Sequence, residues 1–364
     1  MKKRVAVLGA TGSIGKSALD VIACGKEHFE VVLLSAHSNR EGLAEAGRQW
    51  PKARTVLSGE ENLSAVIAGC GADITLNGIS GAAGLAPSMA AIASGSDLAL
   101  ANKETLVMAG PLVLQKADEK KVHIIPVDSE HSAVFHLIEA HGSAHGGALD
   151  EIILTASGGP FRNYTIKEME KITPEAALAH PTWNMGPKIT IDSASMANKG
   201  LEVIEAVRLF RLPPEKIKVV IHPQSIVHSM IRMKNGAIYA QLSRPDMRLP
   251  IHHALYWPQT SQTDFGRLDF ETLLTLEFYP PDTEKFPLLA LAYEAAEKGG
   301  LYPCAYNAAN EAAVAAFLAG RIGFLDIARI TGYVLDRDWN TEPREIASIL
   351  EADRQARIIA EKEL

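Results

Sequence analysis

The chain has little cysteine. Cys24, Cys70 and Cys304 are odd in number, far apart and free of any C-x-x-C spacing. That speaks against a disulfide framework or a thiolate metal site and points to a reducing compartment. Basic excess is also missing: Lys and Arg total 36 against 43 Asp and Glu, a net charge of −7. Such a balance gives no general attraction for nucleic acid or anionic membranes, so an anionic ligand must be captured by local donors. No uninterrupted apolar run approaches membrane-spanning length. The opening MKKRVAVLGATGSIGK starts like a signal peptide, but its apolar run stops after six residues, before Thr11–Gly12–Ser13. Repeats and low-complexity tracts are absent. The expectation is a cytoplasmic protein without nucleic-acid or membrane partners. At 364 residues, 47% of them hydrophobic, it has room for about two or three domains.

What is present begins with alternation. RVAVLGA, EVVLLSA, ADITLNG, DLALANK and VHIIPVD read as short buried strands, with helical stretches such as 16–23 and 84–93 between them. This is the rhythm of a doubly wound parallel sheet. Longer strands follow in EIILTASGG, KVVIHPQSIVHSMIRM and AIYAQL, and Asn235–Gly236 between the last two signals an antiparallel hairpin. Segment 257–286, with Pro258, Pro280 and Pro281, reads as an extended linker. Ala- and Leu-rich helical patterns over 287–297 and 307–319 follow it.

Gly9, Gly12 and Gly15 lie directly after the first strand and open a helix, as G-x-x-G-x-x-G. This variant of the dinucleotide fingerprint lets backbone approach a pyrophosphate at a helix N-terminus, where Thr11, Ser13 and Ile14 offer N–H groups or a hydroxyl. The second strand ends in His37–Ser38–Asn39–Arg40 rather than an acid. That choice leans toward NADPH over NADH, since Arg or Ser accepts a 2′-phosphate, although Arg40 also reads as a solvated surface charge. Asn102, Lys103 and Glu104 end another strand where a doubly wound sheet binds ligands; a plain helix cap is the competing reading.

In VDSEHSAVF, Asp128 and Glu130 bracket Ser129. They are acids suited to a helix start, or two members of a cation site. A third group comes from DSASMANKGLEVIEA, where Asn198, Lys199 and Glu202 share one helical face. Asp128, Glu130 and Glu202 would form an oxygen-only site for Mg²⁺ or Mn²⁺. Ser157 with Gly158 and Gly159 can form an anion-binding concavity, and Ser193, Asn198 and Lys199 add hydroxyl, amide and ammonium donors suited to a terminal phosphate. His222 and His228, and the pair His252–His253, read as hydrogen-bonded structural residues. His180 opens HPTWNMGPK, a loop that carries Trp183 and reads as an active-site lid.

The series GATGSIG, ANKE, VDSEH, SGGPFR, HPTWNMGPK, DSASMANKGLE, HPQSIVHSM, PDMR and NAANE runs almost the whole chain. It strongly resembles the 1-deoxy-D-xylulose 5-phosphate reductoisomerase family. The resemblance implies a Rossmann-like NADPH-binding domain (1–127), an α+β catalytic domain (128–256), a linker (257–286) and a C-terminal helical domain (287–364). It makes Asp128, Glu130 and Glu202 the metal ligands and, with Lys199 and His180, the catalytic set. Substrate contacts fall on Ser129, Glu130, Ser157, His180, Trp183, Ser193, Asn198 and Lys199. Cofactor contacts fall on Gly9, Thr11, Gly12, Ser13, Ile14, Ser38, Asn39, Arg40, Asn102, Lys103, Glu104, Gly186 and Met247. The implied reaction rearranges a sugar-phosphate skeleton and reduces the resulting aldehyde with NADPH, in a homodimer. A metal-dependent sugar-phosphate dehydrogenase uses the same residue types, and a non-catalytic dinucleotide sensor has no use for the acid cluster.

Overall fold

The computed structural model describes residues 1–142, 148–179, 183 and 185–364. The chain folds as two units: unit 1 is Met1–Thr105, Val113–Phe135 and Asp246–Arg267, and unit 2 is Leu106–Leu112, His136–Pro245 and Leu268–Leu364.

Unit 1 alternates strand and helix as the short apolar runs predict, with a sixth strand, Arg54–Leu57, added to the five expected. The order is β1 (Lys3–Leu8), α1 (Ser13–Cys24), β2 (Phe29–Ala36), α2 (Arg40–Gln49), β3 (Arg54–Leu57), α3 (Leu63–Cys70), β4 (Ile74–Asn77), α4 (Leu85–Ala93), β5 (Asp97–Leu100), α5 (Lys103–Lys120), β6 (Ile124–Pro126) and α6 (Ser129–Leu137). Among the described residues the strands form one six-stranded sheet, β3-β2-β1-β4-β5-β6, with every pairing parallel. Helices cover both faces, so Val5, Val7 and Leu8 are fully buried and the strand reads as a continuous apolar run instead of alternating. The order reverses between β1 and β4, the point beyond whose carboxyl ends such sheets bind dinucleotides. Helix α5 kinks at Ala109 (φ −132), two residues before Pro111, whose ring removes a helical N–H.

Residues 246–256, expected by sequence in the catalytic segment, and 257–267, expected in the linker, belong to unit 1. The cause is local. Helix α11 (Arg248–Tyr256) sets Ile251, Ala254 and Leu255 into the core around β1, and the Tyr256 ring meets Phe29 edge-on at 4.9 Å. Lys3 Nζ donates to the carbonyls of Leu255 (2.8 Å) and Trp257 (2.9 Å), a cation on the carbonyls at a helix C-terminus.

Unit 2 holds β7 (Leu149–Ala156), α7 (Ile166–Met169), α8 (Pro174–Ala177), α9 (Pro187–Ala194), α10 (Ala197–Phe210), β8 (Ile217–Ile221), β9 (Val227–Met233) and β10 (Ile238–Leu242). Its four-stranded mixed sheet runs β10-β9-β7-β8 among the described residues. The Asn235–Gly236 hairpin joins β9 to β10 antiparallel, as its sequence predicts. The run 217–233 is two strands rather than one long one. Pro223 lacks a ladder N–H and Ser225 takes φ +52, so the chain turns; β8 pairs parallel with one side of β7 and β9 antiparallel with the other. Segment 257–286 is largely irregular, tied to the sheet by a bridge between Tyr279 and Ile221. Helices α12 (Pro287–Lys298), α13 (Tyr302–Leu318), α14 (Asp326–Leu335) and α15 (Ile346–Glu361) complete the unit. Among the described residues no helix is long and apolar enough to cross a membrane.

Candidate active site

In unit 1 the chain leaves β1 through Gly9, whose φ of +78 only glycine adopts without strain. A Cβ there would also sit 2.9 Å from the Gly78 carbonyl oxygen, so the loops after β1 and β4 touch backbone to backbone. Gly12 is the N-cap of α1; among the described residues no side chain caps the helix, and no acid lies in its first turn. These are the conditions under which a helix start accepts a pyrophosphate. Gly15 lies where a Cβ would be 2.3 Å from the Gly9 carbonyl oxygen, which holds the helix close to the loop.

Asn102 is buried and fully engaged. Its Nδ2 donates to the carbonyls of Ile79 (2.8 Å) and Gly81 (2.9 Å) and to Glu104 Oε2 (2.9 Å), while its Oδ1 accepts from Thr105 N at 3.0 Å. It caps α5 and ties the loop after β4 to the end of β5. Beside it, Lys103 Nζ lies 2.7 Å from Asp128 Oδ2, with both side chains almost fully buried. Asp128 Oδ1 accepts from the backbone N–H groups of Glu130 (3.1 Å) and His131 (3.3 Å), so this carboxylate does cap α6. His131 Nδ1, 3.0 Å from the same oxygen on a fully buried ring, must carry the proton for that contact to be a hydrogen bond. Ser129 Oγ donates to Glu130 Oε2 at 2.5 Å.

In unit 2, Gly158 (φ +80) and Gly159 (φ +66) follow Ser157 at the end of β7. A Cβ on Gly159 would lie 2.9 Å from the Ser193 carbonyl oxygen and 3.1 Å from Ala194 Cα, so this turn rests directly on the end of α9. Gly159 N–H donates to Ser157 Oγ at 3.3 Å. Between α9 and α10 stands Met196 at φ +64, a buried non-glycine residue in the left-handed region, the kind of strain that concentrates at functional sites. One turn into α10, Asn198 Nδ2 donates to Glu202 Oε1 at 2.6 Å and Lys199 Nζ donates to Glu202 Oε2. Lys199 and Glu202 are 4% and 1% exposed, which removes both charges from water and makes loss of either partner worth about 3–5 kcal/mol. Asn198 Oδ1 is buried and accepts no hydrogen bond among the described residues. Trp183 stands with its ring centroid 6.2 Å from that of His228, whose Nε2 lies 2.8 Å from Ser243 Oγ.

Models of the family match along the chain: 1-deoxy-D-xylulose 5-phosphate reductoisomerase at residues 5–54 and 51–110, its C-terminal domain at 124–210, and the DXP reductoisomerase C-terminal domain at 242–359. A 1-deoxy-D-xylulose 5-phosphate reductoisomerase of Treponema denticola is 50% identical over 370 residues, covering 99% of this chain and 96% of its own. The reductoisomerase of Zymomonas mobilis, solved in complex with NADPH, superposes with a TM-score of 0.90 at 42% identity, covering 99% of this chain and 98% of that one. A DOX-P reductoisomerase solved with NADPH, fosmidomycin and magnesium gives a TM-score of 0.92 at 36% identity, covering 99% of this chain and 98% of that one.

The chain belongs to the 1-deoxy-D-xylulose 5-phosphate reductoisomerase family.

Within that family frame, the structure gathers Lys103, Asp128, Ser129 and Glu130 in unit 1, and Ser157 and Ser193 beside the α10 triplet Asn198, Lys199 and Glu202 in unit 2. Lys103, expected among the cofactor contacts, pairs with Asp128. The helix-cap reading of Asn102 is realised in full. Asn39 caps α2 by accepting from Gly42 N (3.0 Å), and Arg40 NH2 lies 2.5 Å from Glu60 Oε1 on the surface, which is the solvated-charge arrangement. Met247 packs against the core of unit 1 at the start of α11. Beside it, although burial pushes the Asp246 carboxyl up, hydrogen bonds from Arg248 hold it below its ordinary value. Gly186 caps α9. His180 lies outside the described residues. His222 is structural as expected: its Nδ1 donates to the Glu277 carbonyl (2.9 Å) and its Nε2 accepts from Ile226 N (3.1 Å). His131 is the residue that sequence reasoning passed over. Its signal was its position three residues after Asp128 at a helix start, where capping groups meet.

Proposed function

We propose that the protein converts 1-deoxy-D-xylulose 5-phosphate to 2-C-methyl-D-erythritol 4-phosphate with NADPH and a divalent cation, in the methylerythritol phosphate route to isoprenoids. The observation that carries this reading is the buried α10 turn, where one carboxylate holds an amide and an ammonium while Asn198 Oδ1 accepts no hydrogen bond among the described residues. A buried acceptor of that kind suits a substrate hydroxyl. Family membership over nearly the whole chain supplies the reaction class.

Asp128, Glu130 and Glu202 would hold the cation. The donor set fits, being all carboxylate oxygen, the preference of Mg²⁺ and Mn²⁺. Lys103 on Asp128 and Lys199 on Glu202 orient both carboxylates. The bound cation would act as a Lewis acid on substrate oxygens, and NADPH would supply hydride. Ser157, Ser193, Asn198 and Lys199 orient the phosphate and hydroxyls, with the Gly158–Gly159 amides completing the concavity. Ser129 reaches the same substrate. Trp183 and His180 cover the substrate and exclude water. The Gly9–Ile14 loop takes the pyrophosphate; Ser38, Asn39 and Arg40 the 2′-phosphate; Asn102, Lys103, Glu104, Gly186 and Met247 the rest of the dinucleotide. In this reading 1–127 serves the cofactor, 128–256 catalysis, 257–286 is a linker and 287–364 a support, in a cytoplasmic protein.

A homodimer is part of the proposal. Among the described residues β10 is the edge of the second sheet, and Ile238, Tyr239 and Leu242 on it are 46%, 38% and 38% exposed. An apolar edge strand of this kind is a template for pairing with a second copy.

The test follows NADPH absorbance with 1-deoxy-D-xylulose 5-phosphate and Mg²⁺ and identifies the product by NMR, with Glu202→Gln in parallel. Oxidation with a branched product and a severe loss in the variant is the expected result. Tight NADPH binding with this substrate untouched overturns the reading and favours another sugar-phosphate dehydrogenation.

A further inference from the structure

Asp192 is a carboxylate that no step above uses, and it is 1% exposed. Asn310 Nδ2, from α13, donates to its Oδ1 at 2.7 Å. Lys188 Nζ, one turn earlier on α9, lies 2.8 Å from Oδ2 as an ion pair, outside hydrogen-bonding alignment. Asn310 is itself fully buried. A buried charge held this way costs more desolvation than a packed apolar pair of the same volume, so stability alone does not favour it here. What a buried polar pair does supply is one allowed geometry.

The elements it fixes are the ones that carry the chemistry. Asp192 precedes Ser193, and α9 continues through the strained Met196 into α10 with Asn198, Lys199 and Glu202. One turn before Asn310 on α13, Tyr306 supports α10 directly: a Cβ on Gly200 would lie 2.7 Å from the Tyr306 hydroxyl, and that hydroxyl donates to the Leu288 carbonyl at 3.0 Å. Helix α13 is therefore a two-point mount, with Tyr306 under α10 and Asn310 under α9. The mount gives NAANE a physical role in the motif series.

We propose that Asp192, acting through Asn310 and Lys188, is a positioning residue that sets Ser193 and the α10 donors for the substrate phosphate. The inference rests on the proposed reductoisomerase reading. Asp192→Asn removes the charge while leaving an oxygen for Asn310. Asp192→Asn combined with Asn310→Asp reverses the hydrogen bond and restores a carboxylate–amide pair. The assay measures KM for substrate, KM for NADPH and inhibition by inorganic phosphate, together with thermal unfolding. Loss of a supporting partner should raise substrate KM and the phosphate inhibition constant about tenfold in the single variant. KM for NADPH should be unchanged, and the double variant should recover most of the loss. If the single variant does not fold, Lys188→Met reads the same split through the ion pair alone. Unchanged phosphate affinity, an equal loss for NADPH, or no recovery in the double variant overturns the proposal. A native protein that does not turn over the substrate overturns the reductoisomerase reading instead.

Discussion

Gly159→Ala isolates the physical basis of the anion-binding turn. Two costs are legible at this position. The left-handed backbone (φ +66) charges an L-residue about 1–2 kcal/mol. The new Cβ would also lie 2.9 Å from the Ser193 carbonyl oxygen and 3.1 Å from Ala194 Cα. Both are backbone atoms that cannot rotate away, and overpacking of that sort adds about 1–3 kcal/mol. Gly236→Ala is the matched control: its φ is +87, with no described residue within 4 Å of the added Cβ. The control should lose about 1–2 kcal/mol and the test variant about 2–5 kcal/mol in urea unfolding. Because the strain falls on Ser157 and Ser193, substrate KM should rise about tenfold in Gly159→Ala, equivalent to roughly 1.4 kcal/mol of binding. In Gly236→Ala it should not move. Equal destabilisation of the two variants, or an unchanged substrate KM in Gly159→Ala, would refute the claim that this turn is pressed against α9 to shape a phosphate site.

Asn102→Ala removes a helix cap and bonds to two loop carbonyls, and thermal unfolding should report a loss of about 2–3 kcal/mol together with weaker NADPH binding. Weaker binding at full stability would contradict the clamp role. Burial lowers the His252 pKa, so the folded form binds protons less readily than the unfolded form. The resulting stability is complete above the unfolded value of 6.5 and is lost as pH falls below it, so His252→Phe should flatten that acid-side slope in a pH series of unfolding midpoints. Hydrogen bonds from Arg354 and Gln355 lower the exposed Glu351 carboxyl to about 2, a contribution present above its ordinary value and lost as pH falls toward 2; carbon-detected NMR titration of that carboxyl reads it directly. Leu242→Lys on the exposed edge of β10 should convert a dimer to a monomer in light scattering, whereas an unchanged mass would remove that edge as the interface.

Much of unit 1 was legible because its signals are local. Short apolar runs, a glycine turn and helical crossovers each require only neighbours in sequence, and the parallel order follows from them. The α10 triplet was legible for the same reason: Asn198, Lys199 and Glu202 meet within one turn. What escaped depends on distant partners. The split of 217–233 is decided by Pro223 and by Ser225 in the left-handed region, inside a run whose composition is uniformly strand-like. Helix α9 contains Ile189–Thr190–Ile191, a β-branched stretch with weak helix preference; Pro187 at its first turn and tertiary packing set it. The placement of α11 with the parallel sheet rests on Lys3 reaching the carbonyls of Leu255 and Trp257, more than 250 residues away. Asp192 and Asn310, 118 residues apart, show no pattern at all until the fold joins them.

A Mn²⁺ titration followed by electron paramagnetic resonance on the native protein and on Asp128→Asn, Glu130→Gln and Glu202→Gln tests directly whether these three carboxylates share one cation. One specific site is expected in the native protein, weakened severely by each substitution taken singly. A variant that keeps native Mn²⁺ affinity would contradict the assignment of these three carboxylates to one cation.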